Sequence, residues 1–182
     1  QGTGRTLLSA WVVCSAVALE HVAADEMKGY LGPSALAVSK DGKTGYVANN
    51  DGRQVAWLEL PAGPVTRRAD MPAEPSGLAL SPDGSRLIVT CAAPRSTVLV
   101  MDAATAKVLA TIPAGHTAMS PAVAPDGKWL YVCNRFHNDV SVIDLAAGAE
   151  VTRVKAVREP VAAAVTPDGT AVFVANHLPD DR

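Results

Sequence analysis

Pro125-Asp126-Gly127-Lys128 is a turn sequence that occurs in four related copies along this chain. The other copies are Lys40-Asp41-Gly42-Lys43, Pro82-Asp83-Gly84-Ser85 and Pro167-Asp168-Gly169-Thr170. The four glycines are separated by 42, 43 and 42 residues. A fixed period of this length predicts an array of similar structural units.

Each unit contains apolar runs of strand length, separated by turns. In the second unit they cover 77–81, 86–91, 97–102 and 107–113, and in the third unit 120–124, 129–134, 139–145 and 150–156. The Asp-Gly turn favours a tight hairpin between the first two strands because glycine tolerates a positive φ. Four short antiparallel strands per unit predict an all-β fold built from the blades of a β-propeller.

The unit boundaries predict a partial propeller over residues 25–182. Its blades cover 33–74, 75–117 and 118–159, and a half blade covers 160–182. Propellers close with four to eight blades, whereas about three and a half are predicted here. We expect the chain to be a fragment of a longer propeller; a half-propeller completed by a second chain is the alternative.

The first 24 residues are typical of a secretory signal. Residues 7–19 carry no charge, and this run is short for a membrane-spanning helix. We expect an N-terminally truncated signal peptide over 1–24, cleaved after Val22-Ala23-Ala24. Cleavage after Ala16-Val17-Ala18, a buried helix and a retained anchor are the alternatives. Cleavage would give an exported protein, periplasmic or outside the cell, with no membrane span.

Composition and motifs exclude several classes of function. The formal net charge of −2 provides no basic excess for binding nucleic acid. The three cysteines form no Cys-x-x-Cys pair, which excludes a zinc ribbon, a thioredoxin motif and a c-type haem attachment site in this stretch. The metalloprotease motif His-Glu-x-x-His and the hydrolase motif Gly-x-Ser-x-Gly are also missing. We therefore predict no catalytic residues and find no recognisable cofactor motif.

Several short segments resemble the YVTN-type repeats of secreted bacterial and archaeal propellers. They are Ser-Pro-Asp-Gly at 81–84, Leu-Tyr-Val-Cys-Asn at 130–134, Asn-Asp-Val-Ser-Val-Ile-Asp at 138–144 and Phe-Val-Ala-Asn at 173–176. The resemblance implies a seven-bladed, exported propeller. It also implies a possible partnership or fusion with a c-type cytochrome domain, whose haem would lie outside this stretch.

The irregular loops, in contrast to the regular Asp-Gly turns, are predicted to share one end of the blades. In a four-stranded meander the loop after the second strand and the link to the next blade lie at the same end. Loops on a rigid scaffold commonly carry function, so we predict a ligand-binding or partner-binding face here. Its candidate residues are Asn50, His116, Arg135, His137, Asn138 and His177. If this face holds a metal, His116 and His137 are the candidate ligands; otherwise the histidines are hydrogen-bonded loop residues.

Two other sets of residues are predicted to be structural. Cys91 and Cys133 are offset by one residue in the aligned units, so their side chains should point to opposite faces and remain buried free thiols. The asparagines seven residues after the turn glycine in the first, third and fourth units, and the aspartates that end the third strands, are predicted to stabilise turns; the second unit has Cys91 in place of the asparagine. They are Asn49, Asn134, Asn176, Asp102 and Asp144.

Two functions fit this sequence. The first is an exported binding or docking scaffold that uses its irregular loops. The second is the propeller module of a periplasmic electron-transfer or oxidoreductase protein, which docks a c-type haem domain. A lyase or hydrolase would need clustered acids and bases on the irregular face, and Arg135 and His137 alone do not provide them.

Overall fold

The structure, a computed structural model, describes residues 31–177, so the predicted signal segment 1–24 lies outside the described residues. Fourteen strands are described, in three four-stranded sheets and one two-stranded sheet. The first sheet contains β1 (Pro33–Val38), β2 (Thr44–Asn49), β3 (Gln54–Glu59) and β4 (Val65–Asp70). The second contains β5 (Glu74–Leu80), β6 (Arg86–Ala92), β7 (Thr97–Asp102) and β8 (Val108–Pro113). The third contains β9 (Ala118–Val123), β10 (Trp129–Asn134), β11 (Asp139–Asp144) and β12 (Ala149–Lys155), and the last contains β13 (Pro160–Val165) and β14 (Val172–Asn176).

Each four-stranded sheet is an antiparallel meander, with strands hydrogen-bonded in chain order. The first strands of successive sheets contact one another, β1 with β5, β5 with β9 and β9 with β13. Serine hydroxyls link two of these pairs, because Ser34 Oγ donates to Pro75 O and Ser76 Oγ to Ala118 O, each at 2.6 Å. The sheets are therefore blades of a β-propeller, and the predicted fold class is confirmed.

The core consists of two layers between neighbouring blades. Successive residues of β6 point alternately into the two layers, because side chains along a strand point to opposite faces. Leu87 and Val89 pack against Trp57 of the first blade, whereas Ile88 packs against Leu130 of the third. Complete burial of such a side chain contributes about 1.5–3 kcal/mol, so these layers hold the blades in register.

The turns follow the predicted geometry. The four turn glycines have φ between 70° and 73°, the left-handed region that glycine adopts without a steric penalty. Asp102 and Asp144 accept hydrogen bonds from amides two and three residues ahead, which confirms their turn-stabilising role.

Two strands begin earlier than the apolar pattern predicts. Strand β5 begins at Glu74 instead of 77, and β9 begins at Ala118 instead of 120. In both strands the hydrogen-bonded ladder shifts register and then continues. The shift in β5 lies between Pro75 and Gly77, and the shift in β9 lies opposite residues Tyr131–Cys133 of its partner β10. The apolar pattern misses these residues because pairing continues across a bulge. Within 31–177 no helix is long and apolar enough to cross a membrane.

Candidate functional site

The loops and links at one end of the blades form what we call the irregular-loop face. It comprises the loops 50–53, 93–96 and 135–138, the interblade links 71–73, 114–117 and 156–159, and residue 177 after β14. The meander order places all of them at the end opposite the Asp-Gly turns. Five of the six predicted site residues lie together on this face. Three are in the loop of the third blade, His116 is in the link before that blade, and His177 follows β14.

The loop between β10 and β11 is a single 3-10 turn, Arg135–His137. Asn138 ends it in the left-handed conformation, with φ 54° and ψ 44°. The Asn138 side-chain oxygen accepts the Glu159 amide at 2.8 Å, and its carbonyl accepts the Ala156 amide at 2.9 Å. Asn138 therefore fixes the loop to the following interblade link instead of presenting a free binding group.

His116 and His137, the candidate ligands if this face holds a metal, are in contact. The His116 amide donates to His137 Nδ1 at 3.2 Å, and the two ring centroids are 6.0 Å apart. His116 also packs edge-on against Phe136, with centroids 5.3 Å apart. Phe136 is 51% exposed, and the Arg135 guanidinium carbon lies 5.0 Å from its ring centroid. We call these four residues, His116, Arg135, Phe136 and His137, the aromatic patch.

Arg135 and His177 meet at a residue that the sequence analysis did not identify. Glu159 Oε2 accepts Arg135 Nε and Nη2 at 2.8 and 2.7 Å, and lies 3.4 Å from His177 Nδ1. Hydrogen bonds from Arg135 hold the pKa of Glu159 below its ordinary value. This ion cluster joins the loop of the third blade to the two-stranded sheet. Glu159 was missed because its position varies between units, with Gly32, Glu74 and Thr117 at the equivalent places.

A buried polar network lies beneath the patch. The amide group of Asn134, fully buried, accepts the Gly115 amide at 2.9 Å and donates to Asp139 and Ser141 at 2.7 Å each. A Cβ on Gly115 would lie 2.5 Å from Asn134 Cγ, so only glycine fits this close approach. Asn134 therefore fixes the link on which His116 is carried.

The network continues to the surface through two charged residues of β12. Ser141 Oγ donates to Glu150, and Arg153 Nε donates to the other Glu150 oxygen at 2.8 Å. Arg153 Nη1 lies 3.2 Å from His137 Nδ1, so this nitrogen faces two donors. The corresponding positions of β8 hold Val108 and Thr111. This difference between the second and third blades is the sequence feature from which the network could have been predicted.

Asn50 is separate from the other predicted site residues. It lies on the first blade, two blades from the aromatic patch, and its backbone amide donates to Gly32 O at 2.7 Å. Its side-chain oxygen is buried and has no hydrogen-bond partner among residues 31–177.

Among residues 31–177, the candidate metal ligands His116 and His137 form a pair with no third ligand nearby. Across the described part of the chain, no group of three or more His, Cys, Asp or Glu side chains converges on one point. His137 Nδ1 is occupied by the His116 amide and the Arg153 guanidinium. The arrangement fits hydrogen-bonded loop histidines, of which His116 packs against the exposed ring of Phe136.

The two thiols of the described residues, Cys91 and Cys133, are free and completely buried, as predicted. Burial raises the pKa of each thiol to about 11. A thiol in this state is neither a nucleophile nor a metal ligand at neutral pH.

Comparisons with known proteins support the fold. A family model described as "Lactonase, 7-bladed beta-propeller" matches residues 104–181, less than half of the 182 residues. A chain of hydrazine synthase from Kuenenia stuttgartiensis is similar in structure, with a TM-score of 0.75 and 25% sequence identity. The match covers 86% of this chain and 46% of that one, so this chain spans less than half its length. No curated protein matches the sequence.

Proposed function

We propose that this chain is part of an exported β-propeller that docks a partner protein through its irregular-loop face. The observation that carries the proposal is the exposure of Phe136 on a fixed support. The Arg135 and Phe136 amides donate to the carbonyls of Thr117 and His116 at 3.2 and 3.4 Å, so the loop is held at its backbone. Aromatic and arginine side chains are enriched at the centres of protein interfaces, and a preordered ring loses little entropy on binding.

A c-type haem domain is the alternative partner. In that case the chain serves as the propeller module of a periplasmic electron-transfer or oxidoreductase protein. Two observations support it: the resemblance of the repeats to propellers associated with c-type cytochromes, and the similarity to a chain of hydrazine synthase, which is an enzyme. The haem would belong to the partner domain, since no haem attachment motif is found in this stretch.

The ion cluster also meets part of the condition set for a hydrolase, because it gathers a carboxylate, a histidine and an arginine on this face. However, Glu159 is engaged by both Arg135 and His177, and a carboxylate held in this way is a weak general base. The geometry therefore supports a structural role for the cluster and a binding role for the face.

Site-specific photocrosslinking tests the docking proposal. A Phe136→p-benzoylphenylalanine variant, produced in the native host and irradiated, should yield a discrete crosslinked band. Lys128→p-benzoylphenylalanine is the matched control, since Lys128 is exposed on the same blade at the opposite end. A band at both positions, or at neither, would contradict the proposal.

The same samples test the alternative and the export. A crosslinked band that retains haem stain after denaturation identifies a c-type partner, because its haem is covalently bound. A band without haem supports the scaffold function and excludes a c-type haem domain as the partner. Recovery of the protein in the periplasmic or extracellular fraction, with Asp25 as its first residue, is expected if the signal is cleaved after Ala24; recovery in the cytoplasm would refute export.

A further inference from the structure

The basic residues at the two ends of the blades are of different kinds. In the described loops and links of the irregular-loop face every such residue is an arginine, and in the turns at the opposite end every one is a lysine. The arginines are Arg53, Arg95, Arg135 and Arg158, and the lysines are Lys40, Lys43, Lys107 and Lys128. A guanidinium binds a carboxylate through two parallel hydrogen bonds and is enriched at protein interfaces, where lysine is depleted. The irregular-loop face therefore has the basic residues of a binding surface.

Two exposed cations border the aromatic patch from different directions. The loop of Arg95 is hydrogen-bonded through its backbone to the link that carries His116, so Arg95 lies beside the patch on the side of the second blade. Strand β12 ends on the outer side of the third blade, where Lys155 is paired with the first residue of β11. In the same strand Arg153 contacts His137.

The segments that form and border the patch carry an excess of positive charge. They are the loops 93–96 and 135–138, the links 114–117 and 156–159, and strand β12. They contain five basic residues, Arg95, Arg135, Arg153, Lys155 and Arg158, against two acidic residues, Glu150 and Glu159. The buried Asp139 at the start of β11 reduces the excess to two positive charges, whereas the whole chain has a net charge of −2.

The two carboxylates in these segments are already engaged. Glu150 accepts a hydrogen bond from Arg153, and Glu159 accepts two from Arg135. They therefore neutralise the arginines that support the patch and leave the charge at its border uncompensated. The centre of this charged surface is apolar, because the ring of Phe136 is 51% exposed. A surface of opposite charge with its own apolar centre is the complement of such a patch.

We propose that the aromatic patch binds an acidic segment of the partner protein. An apolar side chain of that segment packs on Phe136, and carboxylates on either side of it bind Arg95 and Lys155. The inference rests on the docking function proposed above and adds the chemistry of the partner. Phe136 supplies binding energy, whereas the charges at the border select the partner and speed its association.

The crosslinked product of the Phe136→p-benzoylphenylalanine variant gives the first test. Proteolysis and mass spectrometry identify the partner segment attached at position 136, which should contain more acidic than basic residues on both sides of the attachment point. A neutral or basic segment would overturn this inference and leave the docking proposal standing. A product that resists protease and is removed by a glycosidase would overturn both, because the ligand would be a polysaccharide.

Charge variants of the same crosslinking chain, irradiated in an extract of the native host, give the second test. Arg95→Glu should reduce the yield of the crosslinked band by about fivefold or more. Arg95→Lys should reduce it less, because it keeps the charge and loses only the planar guanidinium. Raising the salt concentration from about 0.05 M to about 0.5 M should lower the yield, and the effect should be smaller in Arg95→Glu.

Two controls carry an equivalent change of charge elsewhere. Lys128→Glu changes an exposed cation at the opposite end of the blades, and Arg53→Glu changes one on the first blade of the irregular-loop face. Each should alter the yield by less than about twofold. Circular dichroism shows whether each variant is folded, and Lys155→Glu replaces Arg95→Glu if the latter is not. A yield that does not depend on salt, or an equal loss in Arg95→Glu and Arg53→Glu, would overturn the acidic partner while the band itself still supports docking.

Discussion

Replacing Asn134 by alanine should destabilise the third blade far more than the same change at its equivalent in the last sheet, Asn176. The substitution leaves the buried Gly115 amide without an acceptor, which costs about 1–3 kcal/mol. It also removes a hydrogen bond to the Asp139 carboxylate, worth about 1.5–3 kcal/mol. Ser141 retains Glu150 as a partner, so its loss is small. We therefore expect the free energy of unfolding to fall by about 2.5–6 kcal/mol.

Urea unfolding followed by circular dichroism measures this change. With a typical denaturant slope for a small protein, the midpoint should fall by about 1–2 M. Asn176→Ala should shift the free energy by no more than about 0.5 kcal/mol, because Asn176 is exposed. Hydrogen exchange adds a local readout, since the Gly115 amide should lose protection in Asn134→Ala. Equal effects of the two substitutions, or a protected Gly115 amide in Asn134→Ala, would refute the structural role given to Asn134.

Three further predictions follow from the pKa values and the ion cluster. Cys91 and Cys133, whose pKa values are raised to about 11 by burial, should not react with a thiol reagent at neutral pH until the chain is unfolded in urea; reaction in the folded state would contradict their burial. The Ser81 hydroxyl lowers the pKa of Asp83 to about 2, so this turn stabilises the fold above the ordinary carboxyl pKa and loses that contribution as the pH falls towards 2. Asp83→Asn should therefore reduce the loss of folding stability on acidification more than Asp126→Asn does, because the turn of Asp126 has no serine at the corresponding position. An equal loss of stability on acidification in the two variants would refute this. Glu159→Gln should speed hydrogen exchange in residues 160–177 at pH values above the ordinary carboxyl pKa. The difference in exchange rate from the native chain should shrink as the pH falls through the lowered pKa of Glu159. A difference in exchange rate that does not depend on pH would exclude the ion cluster as its cause.

The repeat made most of the fold predictable. Strands β10, at 129–134, and β7, at 97–102, have the predicted bounds, because each lies between a turn and a loop with clear sequence signals. The burial of Cys91 and Cys133 on opposite faces also follows from their one-residue offset. The starts of the first strands were not predictable in this way, because their ladders continue across bulges where the apolar alternation is broken.

The candidate site was only partly predictable. The order of the strands in each blade predicts that His116 and His137 lie at the same end of the blades. It does not predict that they are in contact. Glu159 and Arg153 were missed for a physical reason: their roles depend on neighbours from other strands or blades. Glu159 reaches Arg135 across 24 residues, and Arg153 reaches His137 across 16.

Differences between copies of a repeat carry more information about function than the features that the copies share. The shared residues, the Asp-Gly turns and the alternating valines, maintain the blade, because every blade needs them. The polar network replaces less polar residues of the second blade, where Cys91 and Leu99 stand in place of Asn134 and Ser141. A buried polar network contributes no more to stability than well-packed apolar side chains, so stability alone does not explain it. Its effect is to fix the Gly115–His116 link and, through Arg153, the ring of His137. Fixing two histidines beside an exposed Phe136 is useful if that surface meets a partner, which is why the docking proposal is placed on the third blade.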